Sequence, residues 1–213
     1  MRTLLIFSAA LVATASAAKG WDGIQAVSVA GFECLKKNGI TFFTARVWEE
    51  VNRADETGIQ NIKHARAAGW TDVDGYIYPC TRSNCPSGAA QVSAALNKLK
   101  AEGAKINTLW MDIEGNAWPS DHNHNREFIQ GMVNEAKKMG VKTGIYSGQY
   151  SWPQIVGDWT GMKGEPLWWP NYNGQESLNN FPHYGGWTAA HIHQYKGTTA
   201  GPCGVSMDLN YKA

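Results

Sequence analysis

The chain has 213 residues and 19 Lys and Arg against 18 Asp and Glu, enough for one α/β domain of nearly zero net charge. It carries no basic run for nucleic acid and no polybasic tail for an anionic membrane, so neither is expected as a partner. Many of its ten Trp, eight Tyr and six Phe belong in a core, but Trp and Tyr in loops also suit the flat, partly apolar faces of sugars.

In chain order, the first element is an address. Met1-Arg2-Thr3 is a short positive start, Leu4 to Ala15 is apolar or small, and Ala15-Ser16-Ala17 fits the small-x-small cleavage rule. Residues 1–17 therefore read as a signal peptide and 18–213 as a single catalytic domain. That apolar run is too short to span a membrane. The expected location is secreted and extracellular, or a lysosomal or phagosomal lumen. Gly20 to Gln25 then reads as a strand, with a helix through Phe32 to Lys37 that Asn38-Gly39 ends. Ile40 to Trp48, β-branched and aromatic, is a buried strand. Ile59 to Ala68 is a helix stopped by Gly69, and Val73 to Cys80 a strand. Ala89 to Ala101 is an amphipathic helix with Val92, Ala95, Leu96 and Leu99 on one face. Ile106 to Glu114 is a strand, Glu127 to Met139 a helix with Asn123 or Asn125 as its cap, and Val141 to Ser147 a strand. Beyond Tyr150 the alternation fades. Pro166 to Tyr172, His191 to Tyr195 and Ser206 to Tyr211 read as strands with no well-marked helices between them.

Repeated β-α units place parallel strands side by side with right-handed crossovers, as a closed barrel or an open sheet. In either case the functional residues belong at the C-terminal ends of the strands. Gly20-Trp21-Asp22-Gly23 lacks the spacing of a dinucleotide loop. Four cysteines in an exported chain read as two disulfides, with three possible pairings. Cys80 with Cys85 is the simplest, a small clamped loop, which leaves Cys34 with Cys203. A zinc site lacks a second ligand pair at matching spacing.

Leu109-Trp110-Met111-Asp112-Ile113-Glu114-Gly115 is the most informative segment. Residues i and i+2 of a strand share a face about 6.5–7 Å apart, so Asp112 and Glu114 project together into the barrel mouth while Ile113 turns towards the helices. Two carboxylates buried side by side repel, and the relief is for one to keep its proton. A neutral carboxylic acid beside an ionised one is what protonating a glycosidic oxygen requires. Helix capping or a cation site is the competing use of the pair. Asp22 ends the first strand and Asp208 lies on the last, and these strands are neighbours in a closed barrel. Arg46, at the end of the second strand, is placed to pair with Asp22 or Asp208 or to touch substrate. His191-x-His193 and His122-x-His124 are too few beside the carboxylates for a dinuclear metal hydrolase. There is no Gly-x-Ser-x-Gly elbow. Tyr146 to Trp152 and Trp168 to Tyr172 are aromatic segments following strands, suited to pyranose faces or to core packing.

These residues, in this order, resemble glycoside hydrolase family 25, the Chalaropsis-type lysozymes. The resemblance is carried by Gly20-x-Asp22, Arg46, Tyr76-x-Tyr78-Pro79-Cys80, Leu109-x-x-Asp112-Ile113-Glu114 and Gly144-Ile145-Tyr146. It continues through Pro166-Leu167-Trp168, His193-Gln194-Tyr195 and Asp208-Leu209-Asn210, and so covers essentially the whole domain. On the first strand Asp-Gly-Ile-Gln stands where many members have Asp-Val-Ser. The resemblance implies a distorted (β/α) barrel with fewer helices than strands, and hydrolysis of the β-1,4 bond between N-acetylmuramic acid and N-acetylglucosamine in bacterial peptidoglycan. Glu114 matches the acid that protonates the leaving oxygen. Asp112 matches a residue that orients the acetamido group or acts as base, and Asp22 and Asp208 match the other acids of the pocket. Arg46, Tyr78, Tyr146, Trp168, Tyr172 and Gln194 are the expected substrate contacts. No cofactor or metal is expected, and the protein is expected to be a monomer. The alternatives are a chitinase-like hydrolase, whose longer acidic run is interrupted here by Asn107 and Trp110, and a silent carbohydrate-binding protein on the same fold.

Overall fold

Glycines in the strands open the space that aromatic rings need inside this molecule. A Cβ on Gly20 would meet the Phe42 ring at 2.4 Å, and one on Gly144 the Trp110 ring at 2.3 Å. Those rings, with Tyr146, Trp168 and Ile192, fill the interior of a closed barrel, with Tyr76 packed against them. The computed structural model describes residues 17–115 and 117–213. The expected signal peptide lies outside the described residues except for Ala17.

Among the described residues the barrel strands are β1 (Ala18–Gly23), β2 (Ile40–Glu49), β4 (Val73–Ile77), β5 (Thr108–Asp112), β6 (Lys142–Tyr146), β7 (Leu167–Pro170), β8 (Ile192–Ala200) and β9 (Ser206–Lys212). A two-residue strand, β3 (Arg53–Ala54), folds back on the end of β2. Pairing is parallel from β1 through β2, β4, β5, β6 and β7 to β8. Antiparallel β9 closes the ring between β8 and β1. The helices are α1 (Val29–Lys37), α2 (Glu56–Ala67), α3 (Gly88–Ala101), α4 (His122–Lys138) and α5 (Ser151–Val156). They cover the strands after β1, β2, β4, β5 and β6; no α-helix among the described residues follows β7, and only a single 3-10 turn (Pro202–Gly204) follows β8, so the barrel is distorted and poorer in helices than in strands. The second apolar layer lies between strands and helices. It includes Ile113, which does turn away from the barrel interior, and the Val92, Ala95, Leu96 and Leu99 face of α3.

Three expectations change. The cap of α4 is Asp121, whose side chain accepts from the N–H groups of Asn123 and His124. Asn125 is instead a buried clamp, donating from Nδ2 to the carbonyls of Pro119 at 2.7 Å and Ile155 at 2.8 Å. β5 ends at Asp112, so Glu114 stands just beyond the strand. Finally, α5 is a helix in a stretch where none was read. The structure joins Cys34 to Cys203, tying α1 to the turn before β9, and Cys80 to Cys85. No helix among the described residues is long and apolar enough to cross a membrane.

Candidate active site

The C-terminal ends of the parallel strands converge on a small pocket of about 120 Å³ that Asp22, Asp112, Glu114 and Asp208 all line. β1 and β9 place Asp22 directly opposite Asp208 in the antiparallel register. Like charges facing each other across two strands destabilise a sheet, so this pair needs a local explanation. β5 delivers Asp112, and the turn after it delivers Glu114. That turn is pinned from several sides. The Ile113 N–H donates to the Tyr146 carbonyl at 2.8 Å. The Ser147 hydroxyl donates to the Ile113 carbonyl at 2.7 Å. The Trp118 indole N–H donates to the Glu114 carbonyl at 3.0 Å. Gly115 takes φ of +80°, and a Cβ there would also crowd the Tyr78 hydroxyl at 3.0 Å.

Gln194 is the hub of the pocket. Its Nε2 donates to Asp22 at 2.9 Å and to Asp208 at 3.3 Å. Its Oε1 accepts from the Tyr146 hydroxyl at 2.8 Å and the Tyr172 hydroxyl at 3.0 Å. Asn210 donates from Nδ2 to Asp22 at 2.6 Å while its Oδ1 accepts from the Trp168 indole at 2.7 Å. The Thr198 N–H donates to Asp208. Tyr76, Tyr146 and Trp168 make the apolar walls.

Burial without a paired cation pushes every acid of the cluster upward. Desolvation and then Asp208 lift the Asp22 carboxyl to about 8, against the donated bonds from Asn210 and Gln194. Burial, then Glu114 and Asp22, hold Asp112 well above the usual carboxylate range. Burial and Asp208 raise Glu114, and burial raises Asp208. Asp112 Oδ1 is buried with no hydrogen-bond partner among the described residues. A pocket of this kind holds protons on some carboxyls and negative charge on others, the condition for acid catalysis next to a developing cation.

From the sequence Arg46 is expected to pair with Asp22 or Asp208 or to touch substrate, and the structure gives it a different ion-pair partner. The Arg46 Nε lies 2.7 Å from Asp55 Oδ2. Asp55 caps α2 by accepting from the Gly58 N–H at 3.0 Å. Gly58 has no side chain because α2 begins against β2, and a Cβ there would fall 1.7 Å from the Arg46 carbonyl oxygen. The helix start thus brings a carboxylate to the guanidinium, and Arg46 is not among the pocket-lining residues. Tyr146, Trp168, Tyr172 and Gln194 line the acid pocket, and Tyr78 lines an adjoining one of about 270 Å³. The sequence reading passed over Trp118 and the bridging role of Asn210. A Trp in a loop four residues past Glu114 was the available signal for the first. His193 faces the Ser177 and Asn171 carbonyls through its two ring nitrogens and stacks on Trp169, a structural placement.

A family model described as "Lysozyme-like protein 1" matches residues 13–195. A "Lysozyme-like protein 5" of Caenorhabditis elegans is 48% identical over 210 residues, covering 98% of this chain and 96% of its own. A "Probable GH family 25 lysozyme 5" of Dictyostelium discoideum is 36% identical over 195 residues, covering 90% and 89%. The chain belongs to glycoside hydrolase family 25. It is a glycosidase of the lysozyme-like kind. The fold agrees: the solved muramidase of Trichobolus zukalii superposes with a TM-score of 0.72 at 21% identity, covering 92% of this chain and 93% of that one.

Proposed function

We propose that this family 25 glycosidase is a secreted N-acetylmuramidase that cuts the β-1,4 bond between N-acetylmuramic acid and N-acetylglucosamine in bacterial peptidoglycan, with Glu114 as proton donor. It works as a monomer in an extracellular or lysosomal lumen and needs no cofactor. The observation that carries this reading is the meeting of four carboxyls, from the start, middle and end of the chain, in one pocket at the C-terminal mouth of the barrel.

Glu114, raised by burial and by Asp208, keeps its proton more readily than an ordinary glutamate and passes it to the bridging oxygen as the bond breaks. Positive charge then grows on the sugar ring, where the carboxyl cluster stabilises it, and water adding to that carbon completes the hydrolysis. Asp112 Oδ1, buried and unpartnered, accepts the N–H of the 2-acetamido group and so orients it beside the reacting carbon. Gln194 and Asn210 hold Asp22 and Asp208 in place from β8 and β9.

Glu114→Gln keeps the shape of the side chain and removes the proton donor. Clearing of bacterial walls should fall at least about 100-fold, the scale of general acid help. Equal clearing by the two proteins would reject Glu114 as the acid, and no clearing by either would favour a carbohydrate-binding role. Product analysis on chitin beside peptidoglycan separates a muramidase from a chitinase-like enzyme.

A further inference from the structure

We infer that Trp118 and Tyr78 form the site for the leaving sugar and that Trp118 also positions the turn that presents Glu114. This rests on the muramidase reading above. Glu114 is the wall shared by two cavities, the acid pocket of about 120 Å³ and a second of about 270 Å³ lined by Tyr78 and Trp118. A proton donor sits at the bridging oxygen, so one sugar must lie on each side of it. The sugar that becomes cationic belongs among the carboxylates. The sugar that departs therefore falls in the second cavity, where Tyr78 and Trp118 are the aromatic walls and Glu50 and Arg82 are charged groups on its lining.

Trp118 is suited to both tasks. It is half-buried and packs edge-on to Phe128, with ring centroids 5.6 Å apart and planes at 87°. That packing fixes the ring while leaving part of it on the cavity. The loop around it is also held: the Thr81 hydroxyl, beside the Cys80–Cys85 link, donates to the Ala117 carbonyl at 3.0 Å. Its indole N–H donates to the Glu114 carbonyl at 3.0 Å. A sugar pressed on the indole is thereby joined through one hydrogen bond to the backbone of the proton donor. Apolar faces of pyranoses stack on such rings, and the N–H end remains polar.

The test uses two substrates with the same disaccharide in the acid pocket. One is the tetrasaccharide of alternating N-acetylglucosamine and N-acetylmuramic acid, whose leaving group is a sugar. The other is the disaccharidyl fluoride, whose leaving group is a fluoride ion and fills no sugar site. Trp118→Ala should lower kcat/KM on the tetrasaccharide about tenfold or more, largely through KM, and change fluoride release by less than about twofold. Trp118→Phe keeps a ring against Phe128 but loses the N–H. It should hold KM within about twofold while lowering kcat on the tetrasaccharide a few-fold. Equal losses on both substrates in both variants, or no loss on either, would overturn the inference. If the unmodified protein turns over neither substrate, the muramidase reading fails, and this inference fails with it.

Discussion

The two ends of the barrel handle acidic residues in opposite ways. At the N-terminal end of the strands each acid has a partner of its own. Lys212 Nζ lies 2.6 Å from Asp72 and 4.3 Å from the Phe42 ring centroid. Glu165 accepts from Lys137 and from the Thr143 hydroxyl. Asp74 accepts from the Trp110 indole at 2.9 Å and from the Thr108 N–H at 3.0 Å, which uses both of its oxygens. At the C-terminal end four acids share one pocket, the nearby Arg46 is held by Asp55, and the donors that reach Asp22 and Asp208 are neutral amides. One end spends its charges on holding strands together. The other gathers four acids in one pocket, an arrangement that folding alone does not favour and that acid catalysis uses.

The largest effect expected from this contrast is on activity. Asp112→Asn is nearly isosteric and exchanges one carboxyl oxygen for an NH2 group at a side chain whose Oδ1 has no hydrogen-bond partner among the described residues, so it should fold well and lose wall-clearing activity about 100-fold or more. Asp74→Asn, on the end with paired acids, turns an NH2 group towards a donor, either the Trp110 indole or the Thr108 N–H. It should cost about 1–3 kcal/mol of stability while leaving kcat/KM within about twofold. Denaturant unfolding and initial rates on cell walls check both. A 100-fold loss in Asp74→Asn would erase the distinction between the two ends.

How much of this was legible before the structure depends on how local each cause is. β2, β4, β5, β6 and β7 are buried on both faces over most of their length, so their apolar runs announce them. The shared pocket of Asp112 and Glu114 follows from strand periodicity, even though β5 stops at Asp112. The partner of Arg46 was misread because a nearer carboxylate, Asp55, arrives with the start of α2, and the close seating of Gly58 on β2 is a three-dimensional fact. Helix α5 hid because six residues containing Pro153 show no helical period. Asn125 looked like a cap because Asn favours that position, but burial between α4 and α5 gave its amide other work. The pairing of Trp118 with Tyr78 depends on two loops meeting over Glu114, which spacing along one chain does not encode.

A smaller effect should appear in stability against pH. The Asp22 carboxyl is held at about 8 in the folded chain against an ordinary 3.8, so the folded state keeps a proton that the unfolded state gives up in between. Stability from this source is fully present at low pH and is lost as pH rises from about 4 to 8. Asp22→Asn retains an acceptor for Gln194 and Asn210 and removes the charge. It should therefore raise the melting temperature at pH 7 by a few degrees and flatten its fall with pH. Calorimetry at pH 4 and pH 7 reads both features. A variant that melts lower than the parent at pH 7 would mean that the ionised Asp22 is a net stabiliser, like the paired acids at the other end.

The finest distinction lies in the position of one limb of a pH profile. Glu114 acts in its protonated form, so kcat/KM should fall as pH climbs past its raised pKa. Asp208 contributes to that rise, and the Thr198 N–H helps it carry the negative charge by which it does so. Asp208→Asn removes the neighbouring charge, makes Glu114 a stronger acid and should move the descending limb to lower pH, whatever the variant does to the maximum rate. Asp72→Asn alters charge at the opposite end, beyond the aromatic filling of the barrel, and should leave the limb where it is. The paired comparison carries the weight, because a limb that moves equally in both variants reports net charge on the whole protein. A shift in Asp208→Asn alone locates the coupling inside the shared pocket.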